Sequence, residues 1–326
     1  MVSNWLITGG CGFIGSSLIK KLIEKSPEVN VRVLDNLAVG SREDLRAVCE
    51  FNEIGVGAIN GSPVGIELLV ADIGDDKAAL AAASGADVVV HLAANTGVGP
   101  SVDDPRTDCA TNVFGTFNML EAARHKNVGK FVFASSGAPI GDLEAPPIHE
   151  ELPAHPVSPY GASKLAGEGY CSAYYRTFKI DTVALRFGNV YGPGSKHKAS
   201  VVAKFIKKAL NGEACEIYGD GTQTRDFIYI DDIVDALILA SEKPGIGGEI
   251  FQIATNKETT VGEMTDLLVS VLAKNGIKNV QVINREARLG DVMRNYSDTS
   301  KAKEILGWIS KINLESGLEK AVRGFL

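Results

Sequence analysis

The sequence has no uncharged apolar stretch of about 18 residues, the length that would cross a membrane. Its first residues, MVSNWLITGG, contain neither a basic start nor a long apolar segment, which argues against a targeting peptide. A basic tract is also missing: 33 Lys and Arg stand against 40 Asp and Glu, for a formal net charge of −7. Nucleic acid binding needs clustered positive charge. We therefore expect a cytoplasmic protein with no membrane or nucleic acid partner.

Closely spaced metal ligands are absent as well. The five cysteines are scattered, at Cys11, Cys49, Cys109, Cys171 and Cys215. Because no pair has the spacing of a zinc or redox motif, we expect reduced thiols. The histidines show no metal-ligand spacing: His149, His155 and His197 occur in polar segments, and His91 in an apolar one that favours a core position. The sequence predicts no metal site.

The chain does contain an alternation of short apolar runs and amphipathic stretches. Its 326 residues, 45% hydrophobic and 22% charged, have the composition of a globular protein larger than one core. Strands are predicted at NWLIT, 29–36, 65–73, 86–94, 128–136 and 180–192, and helices at 13–25, 75–84, 105–126 and 158–178. Strands that are apolar throughout are buried on both faces. The pattern therefore predicts a doubly wound parallel α/β sheet covered by helices.

From about residue 191 the pattern breaks into pieces bounded by Gly and Pro. Helices are predicted near 199–210, 231–242, 261–274, 298–306 and 314–325. We expect a cofactor-binding domain at 1–190 and a smaller α/β lobe at 191–326, with some crossing of the chain between them. The Gly-rich stretch 40–64 is long for a connection between strands, and we expect a partly mobile insertion there.

A glycine-rich turn follows the first predicted strand. It reads Gly9-Gly10-Cys11-Gly12-Phe13-Ile14-Gly15, and a helix is predicted to begin near Phe13. The spacing of Gly9, Gly12 and Gly15 allows a tight turn, close approach to a pyrophosphate, and close packing of helix on strand. The amide groups at the helix start, including those of Phe13 and Ile14, complete an anion site. This context predicts a Rossmann-type dinucleotide site.

Candidate cofactor ligands end the next three strands. Asp35, which stands 20 residues after Gly15, can accept hydrogen bonds from an adenosine ribose and would repel a 2′-phosphate. This favours NAD over NADP; a solvated acid at a strand end is the alternative. The other candidates share this sheet edge, where open α/β sheets bind ligands: Asn36, Asp72, Ile73, Leu92, Ala93 and Ala94.

A second motif, Tyr160-Gly161-Ala162-Ser163-Lys164, opens the helix after Pro159. Tyr and Lys at i and i+4 share one helix face. We expect the ammonium to lower the pKa of the phenol toward neutrality, which would make Tyr160 a general base. The preceding strand ends in Ser135-Ser136, which could put a hydroxyl beside the phenol. The alternative is that this spacing of Tyr and Lys, considered alone, marks only an ordinary helix surface.

Together these motifs resemble the extended short-chain dehydrogenase/reductase family. The residues that carry the resemblance are TGGCGFIG, the acid after the second strand, Ser-Ser, YGASK and RFGNVYGP, with TRDFIYIDDIVDA and RLGDVMRNYSDTSKAKEILGW nearer the C-terminus. Within the family the chain is similar to NAD-dependent nucleotide-sugar epimerases of the UDP-glucose 4-epimerase kind. The similarity runs over nearly the whole length.

The resemblance implies roles for several residues. Tyr160 would move the proton of the sugar 4-hydroxyl, Lys164 would hold the nicotinamide ribose, and Ser136 would bond the reacting oxygen. NAD would take a hydride from carbon 4 and return it to the other face of a transient 4-keto sugar. Asn112, in ATNVFGT, would support the site or be structural only.

Substrate contacts are implied at four further positions. Asn189 resembles a diphosphate-binding Asn, and Arg225 and Arg288 suit phosphate recognition, although a surface salt bridge would explain either arginine. Counting on from RLGD, Asn295 falls where glucose-specific epimerases hold a bulky residue. A smaller side chain there leaves room for a 2-acetamido group. UDP-glucose, UDP-galactose and their N-acetyl forms are the expected substrates.

The segment after Ser136 departs from the family pattern. It reads Gly137-Ala138-Pro139-Ile140-Gly141 where the family ends in Val-Tyr-Gly, which implies an unusual wall beside the sugar. Because no acid follows Ser136, elimination is disfavoured. Two alternatives stay open: a sibling dehydratase, 5-epimerase or reductase, and a non-catalytic NAD-binding regulator.

Family members usually dimerise through the helices that 105–126 and 158–178 resemble, which implies a homodimer. The apolar positions on these helices, Val113, Phe117, Leu120, Leu165, Tyr170 and Tyr174, would equally suit an intramolecular core.

Overall fold

The structure is a computed structural model that describes residues 2–142, 146–197, 200–287 and 292–326. Its strands are β1 (Asn4–Thr8), β2 (Asn30–Asp35), β3 (Asn52–Ile54), β4 (Ile66–Val70), β5 (Val88–His91), β6 (Lys130–Ser136), β7 (Asp181–Phe187), β8 (Asn189–Tyr191), β9 (Cys215–Tyr218), β10 (Thr224–Arg225), β11 (Phe227–Tyr229), β12 (Ile250–Ile253), β13 (Thr259–Thr260) and β14 (Val282–Arg285). Its α-helices are α1 (Phe13–Lys25), α2 (Arg42–Arg46), α3 (Asp76–Ala82), α4 (Val98–Asp103), α5 (Pro105–Cys109), α6 (Gly115–His125), α7 (Pro159–Phe178), α8 (Val201–Leu210), α9 (Ile230–Glu242), α10 (Val261–Lys274) and α11 (Leu314–Phe325).

A parallel eight-stranded sheet forms the centre of the molecule, in the order β12-β7-β6-β5-β1-β2-β4-β3. Its inner strands are buried on both faces, as their apolar sequences require. Helices α1 and α9 pack on one face, and α3, α6 and α7 on the other. The predicted doubly wound α/β fold of the Rossmann type is confirmed.

Residues after 191 contribute a strand to the large sheet and a helix that packs on it. β12 extends the large sheet beside β7, and α9 covers one of its faces. The remaining strands form two-stranded sheets, β8 with β11, β9 with β14 and β10 with β13. Residues beyond 191 therefore take part in the large sheet, whereas the division into two lobes near residue 190, with chain crossing between them, stays a prediction.

The stretch 40–64 differs from the expected partly mobile insertion. It contains α2, and β3 pairs with β4 at the edge of the sheet. The buried Arg32 guanidinium holds the far end, because its Nη2 donates to the Gly61 carbonyl over 3.2 Å. Its Nε donates to Glu67, whose other oxygen accepts from the Val64 amide. Contacts from distant strands, absent from the local pattern, order this segment.

Two predicted helices have a different form. The helix expected at 105–126 is divided into α5, a π-helical turn at Ala110–Phe114, and α6. The helix expected at 298–306 is a π-helical segment at Ala302–Leu306. π-Helical turns inside helices often occur at functional sites. Within the described ranges, no helix is long and apolar enough to cross a membrane.

Candidate active site

The glycine-rich turn has the close contacts that its sequence predicts. Gly9 has a φ of +69°, in the left-handed region that favours glycine. A Cβ on Gly15 would overlap the Gly9 carbonyl oxygen, so helix α1 can approach β1 only without a side chain there. These two glycines are needed for the turn itself.

The space around Gly12 is more open than the space around Gly9 and Gly15. A Cβ at this position would meet only the Gly9 oxygen, at 3.2 Å. Among the described residues, no side chain caps the amide groups of Ile14 and Gly15 at this helix start. An open glycine surface in front of a helix N-terminus fits the diphosphate of a dinucleotide.

Asp35, at the end of β2, holds the glycine-rich turn in place. It is only 7% exposed, and its two oxygens accept the amide of Cys11 over 2.9 Å and that of Leu37 over 2.8 Å. Burial raises the pKa of this carboxyl. Each carboxylate oxygen has a further lone pair, so the arrangement still fits a ribose hydroxyl.

The other predicted cofactor residues meet at the same edge. Asn36 donates to Asp72 over 2.7 Å, which joins the ends of β2 and β4. Ile73 is buried against Gly115, and a Cβ on Gly9 would lie 2.9 Å from the Ala93 nitrogen. Leu92 and Ala94 flank Ala93 in the half-exposed segment after β5. The fold thus brings together the residues that the sequence placed at the cofactor site.

Tyr160, Lys164 and Ser136 also meet in the structure. The hydroxyl of Ser158 caps α7 by accepting the Gly161 amide over 3.1 Å, which sets the first turn where Tyr160 lies. Ser136 is the last residue of β6, and its hydroxyl lies close enough to the Tyr160 phenol to act on the pKa of that group. The Lys164 ammonium donates to the Ala134 carbonyl over 2.9 Å.

The pKa of Tyr160 differs from the sequence-based expectation. Burial raises it to about 12, and the nearby Ser136 hydroxyl opposes this only in part. We expected Lys164 to lower the pKa of Tyr160, and this is wrong when only the protein's own groups are considered. The Lys164 ammonium donates to the Ala134 carbonyl, and it lies over the Tyr160 ring at 5.8 Å from the ring centre. Burial lowers the pKa of Lys164 to about 8. The phenol is therefore protonated at neutral pH.

Asn112 lies in the π-helical turn and connects three elements. Its amide nitrogen donates to the Asn95 carbonyl over 2.9 Å and to the Ser163 hydroxyl over 3.1 Å. Its amide oxygen accepts the Asn95 amide over 2.8 Å. Asp108 also lies 2.9 Å from the side-chain nitrogen of Asn112, so the two amide hydrogens are shared among three acceptors. Asn112 thus ties the segment after β5 to the helix that carries Tyr160.

His91 is buried, as the sequence predicted, and it connects to this network. Thr116 donates its hydroxyl to the Asn112 carbonyl over 2.6 Å, so it accepts from His91 Nε2 over 3.1 Å. Thr8 accepts the amides of Leu92 and Ala93 and donates to His91 Nδ1 over 2.8 Å. Burial lowers the pKa of His91 to about 3, which keeps it neutral.

Sequence reasoning missed a buried ion pair behind the site. Glu168 accepts from Arg186 over 2.7 Å at both oxygens, and the Ser135 hydroxyl donates to it over 2.6 Å. The spacing of Glu168, four residues after Lys164 on the same helix face, was the available signal. The pair holds the end of β6 against α7.

The predicted substrate residues lie in the C-terminal half of the chain. Arg225 donates to the carbonyls of Thr224 and Val292, both over 2.7 Å. Asn295 is half-buried, and its amide donates to the Thr224 hydroxyl over 3.3 Å, which places it beside Arg225. Asn189 is exposed at the start of β8, just beyond the carboxyl end of β7. Arg288 lies outside the described residues.

The prediction of an unusual wall formed by the segment after Ser136 is only partly correct. Pro139 and Ile140 are buried, and the amide of Ile140 closes a turn on the Gly137 carbonyl over 3.2 Å. Gly137 and Ala138 remain half-exposed next to Ser136. Because the turn directs the apolar side chain inward, the surface beside Ser136 is formed by the two small residues.

Within the described ranges, no group of three His, Cys, Asp or Glu could hold a metal ion.

Comparison with known proteins gives consistent similarities. The sequence profile of the NAD dependent epimerase/dehydratase family matches residues 5–254. A crystal structure of UDP-glucose 4-epimerase with UDP-glucose from Thermotoga maritima is 36% identical and covers 99% of this chain and 98% of its own, with a TM-score of 0.87. UDP-N-acetylglucosamine 4-epimerase from Methanobrevibacter ruminantium is 30% identical, with coverage of 100% and 99% and a TM-score of 0.87. UDP-glucose 4-epimerase from Thermus thermophilus, in complex with NAD, is 33% identical, with coverage of 98% of both chains and a TM-score of 0.85.

Proposed function

This chain belongs to the NAD dependent epimerase/dehydratase family, and from that premise we propose that it is a nucleotide-sugar 4-epimerase. Its substrates would be UDP-glucose and UDP-galactose or their N-acetyl forms, because related proteins of both kinds match over nearly the full length. The observation that carries the proposal is the meeting of Tyr160, Ser136 and Lys164 at the sheet edge that holds the glycine-rich turn. We extend it to a cytoplasmic location, which the free state of all five cysteines supports.

In the proposed reaction, NAD supplies reversible hydride transfer at carbon 4 of the sugar. The residues that would hold it are the open Gly12 surface, the α1 amides, Asp35 and Lys164. Tyr160 would take the 4-hydroxyl proton and return it after the keto sugar has turned over. Ser136 would bond the same sugar oxygen. Burial favours the protonated phenol, so the protein groups alone do not stabilise the base form of Tyr160.

The half-exposed surface beside Ser136 favours epimerisation over elimination. Gly137 and Ala138 carry no acid that could protonate a leaving hydroxyl. A non-catalytic regulator would not need Ser136, Tyr160 and Lys164 in contact. Product analysis separates these alternatives, because only a 4-epimerase inverts carbon 4 and leaves the rest of the sugar unchanged.

The test is to incubate the purified protein and NAD with UDP-glucose or UDP-N-acetylglucosamine and to resolve the sugar products by NMR. The galacto epimer of either substrate supports the proposal. A 4-keto-6-deoxy product would replace it with a dehydratase. No conversion of either substrate would contradict the proposed pair of reactions.

We propose that Asn295 admits the 2-acetamido group. Replacement by Tyr adds bulk beside Arg225 and is expected to lower kcat/KM for the N-acetylated sugar by about tenfold or more relative to UDP-glucose, in the range of steric discrimination in a pocket. The exposed neighbour Met293→Tyr is the matched control and should leave the ratio unchanged. An unaltered ratio in Asn295→Tyr would remove Asn295 from the sugar pocket.

We also propose a homodimer through α6 and α7 and the π-helical turn before α6. Of the residues expected there, Leu120 and Tyr174 are buried within the chain, whereas Phe117 and Tyr170 are exposed and their rings lie 5.7 Å apart. Phe114 is 63% exposed beside them. An apolar patch of this kind on a helix pair is typical of an interface between subunits.

Substitution of Phe114 by Glu is expected to shift the protein to the monomer, because a charge would be buried at the centre of this patch. Sedimentation equilibrium measures the change. Val64→Glu is the control, since Val64 is also an exposed apolar side chain and lies before β4, away in sequence from the helices of the patch. A dimer of undiminished affinity in Phe114→Glu would place the interface elsewhere.

A further inference from the structure

Asp108 is a buried carboxylate with incomplete bonding. It is 1% exposed, at the end of α5. One oxygen accepts the Asn112 amide over 2.9 Å, and the other is buried without a hydrogen-bond partner in the structure. A buried charge of this kind is costly unless an opposite charge compensates it. No motif in the sequence drew attention to this residue.

Helix α5, which carries Asp108, packs against α7, and Lys164 on α7 is a buried cation whose charge interacts with that of Asp108. This ammonium is buried too, and its contacts are neutral: the Ala134 carbonyl and, at 4.9 Å, the ring of Phe133. Glu168 lies one turn further along α7, but Arg186 binds both of its oxygens. Glu168 and Arg186 thus balance each other, which leaves Asp108 as the anion that balances Lys164.

The other titratable groups around this pair are neutral near pH 7. Burial keeps the pKa of Tyr160 high and that of the Cys171 thiol high, and it lowers the pKa of His91 to about 3. Asp108 is the first of the anionic groups that raise the pKa of Lys164 against the effect of burial, ahead of Glu168. It also raises the pKa of Tyr160.

We propose that Asp108 is a positioning residue for proton transfer: its carboxylate is the counter-charge of Lys164 and holds the Asn112 amide against Ser163. The proposal rests on the proposed function of Tyr160 and Lys164. Asp108 acts through these groups and through the π-helical turn, without contact to the sugar. The π-helical turn places Asn112 about one helical turn after Asp108, so its side-chain amide reaches both Asp108 and Ser163.

The first test is the pH profile of Asp108→Asn, which keeps the side-chain shape and an oxygen acceptor for Asn112. In the wild type the ammonium form of Lys164 is present below a pKa of about 8 and is lost as pH rises through it. Without the counter-charge, this alkaline limb of kcat is expected to move to lower pH by about one unit, the low end of the effect of an adjacent opposite charge. Asp103→Asn, which removes an exposed charge on α4, should leave the limb in place. An equal loss of kcat at every pH would indicate a structural role and overturn the proposal.

The second test does not depend on turnover. Carbon-13 NMR of protein labelled at lysine Cε follows the titration of Lys164, assigned by its loss in Lys164→Met. The midpoint should lie lower in Asp108→Asn than in the wild type, even if the sugar substrate is another one. An identical midpoint would overturn the proposal.

If Asp108→Asn does not fold, a measurement on the wild-type enzyme still tests the proposal. At pH 7, where Lys164 is protonated, the carboxyl carbon of Asp108 should show the ionised form. A protonated carboxyl there would exclude a counter-charge.

Discussion

Tyr160→Phe is expected to lower epimerase turnover by about 10²- to 10⁴-fold, the usual contribution of a general acid–base group. Phe keeps the ring in its place at the start of α7 and removes only the hydroxyl, which lies near Ser136. Because a single buried hydroxyl is removed, stability should fall by no more than about 1 kcal/mol. NMR of the epimerised sugar measures turnover, and thermal unfolding measures stability.

The control is Tyr170→Phe, the same substitution at an exposed position on the same helix. It should retain the wild-type rate. NAD affinity should also be unchanged in Tyr160→Phe, since the glycine-rich turn is not altered. Full turnover in Tyr160→Phe would show that another group moves the proton.

Gly12→Ala is expected to weaken NAD binding by about tenfold or more, equivalent to about 1.4 kcal/mol. The backbone at Gly12, with φ −76° and ψ 173°, is one that alanine adopts freely, and the added Cβ meets only one protein atom. The methyl group would therefore occupy the surface where the diphosphate approaches, with less than about 1 kcal/mol of effect on folding. Isothermal titration with NAD and thermal unfolding measure the two effects separately.

Two further glycines make this test specific. Gly15→Ala should destabilise the fold as well, because its Cβ would overlap the Gly9 oxygen. Gly57→Ala, in a surface turn with open space around it, should change neither affinity nor fold. NAD affinity equal to the wild type in Gly12→Ala would place the diphosphate away from this helix start.

The cofactor side of the site was predictable because its signals are local. The glycine spacing and the acid after β2 act through backbone geometry within about 30 residues, so their pattern in the sequence already specifies a turn, a helix start and a strand end. The structure places Gly9, Gly12, Gly15 and Asp35 in contact with one another or with their own turn. The positions of these residues agree with the turn, helix start and strand end expected from the sequence, and their contacts with NAD stay a prediction.

The substrate side was less predictable. Asn295 lies beside Arg225 only because the segment after residue 292 runs along β10, and Arg288 lies outside the described residues. The segment that contains Ile140 was expected to form an unusual wall beside the sugar, and Ile140 itself is buried next to a tight turn on the Gly137 carbonyl. Such placements depend on pairings between distant segments, which a motif does not specify.

By itself the sequence determined the alternation of strands and helices, the dinucleotide turn, and the pairing of Tyr160 with Lys164 on one helix face, since each follows from periodicity or short-range geometry. Only the tertiary structure decided the electrostatics of that pair. Burial, a property of the whole fold, holds the phenol protonated and lowers the pKa of Lys164. Asp108 enters the site from another helix, through Asn112 in the π-helical turn. A charge in a protein interior is governed by what surrounds it in space, and that is decided when the elements pack.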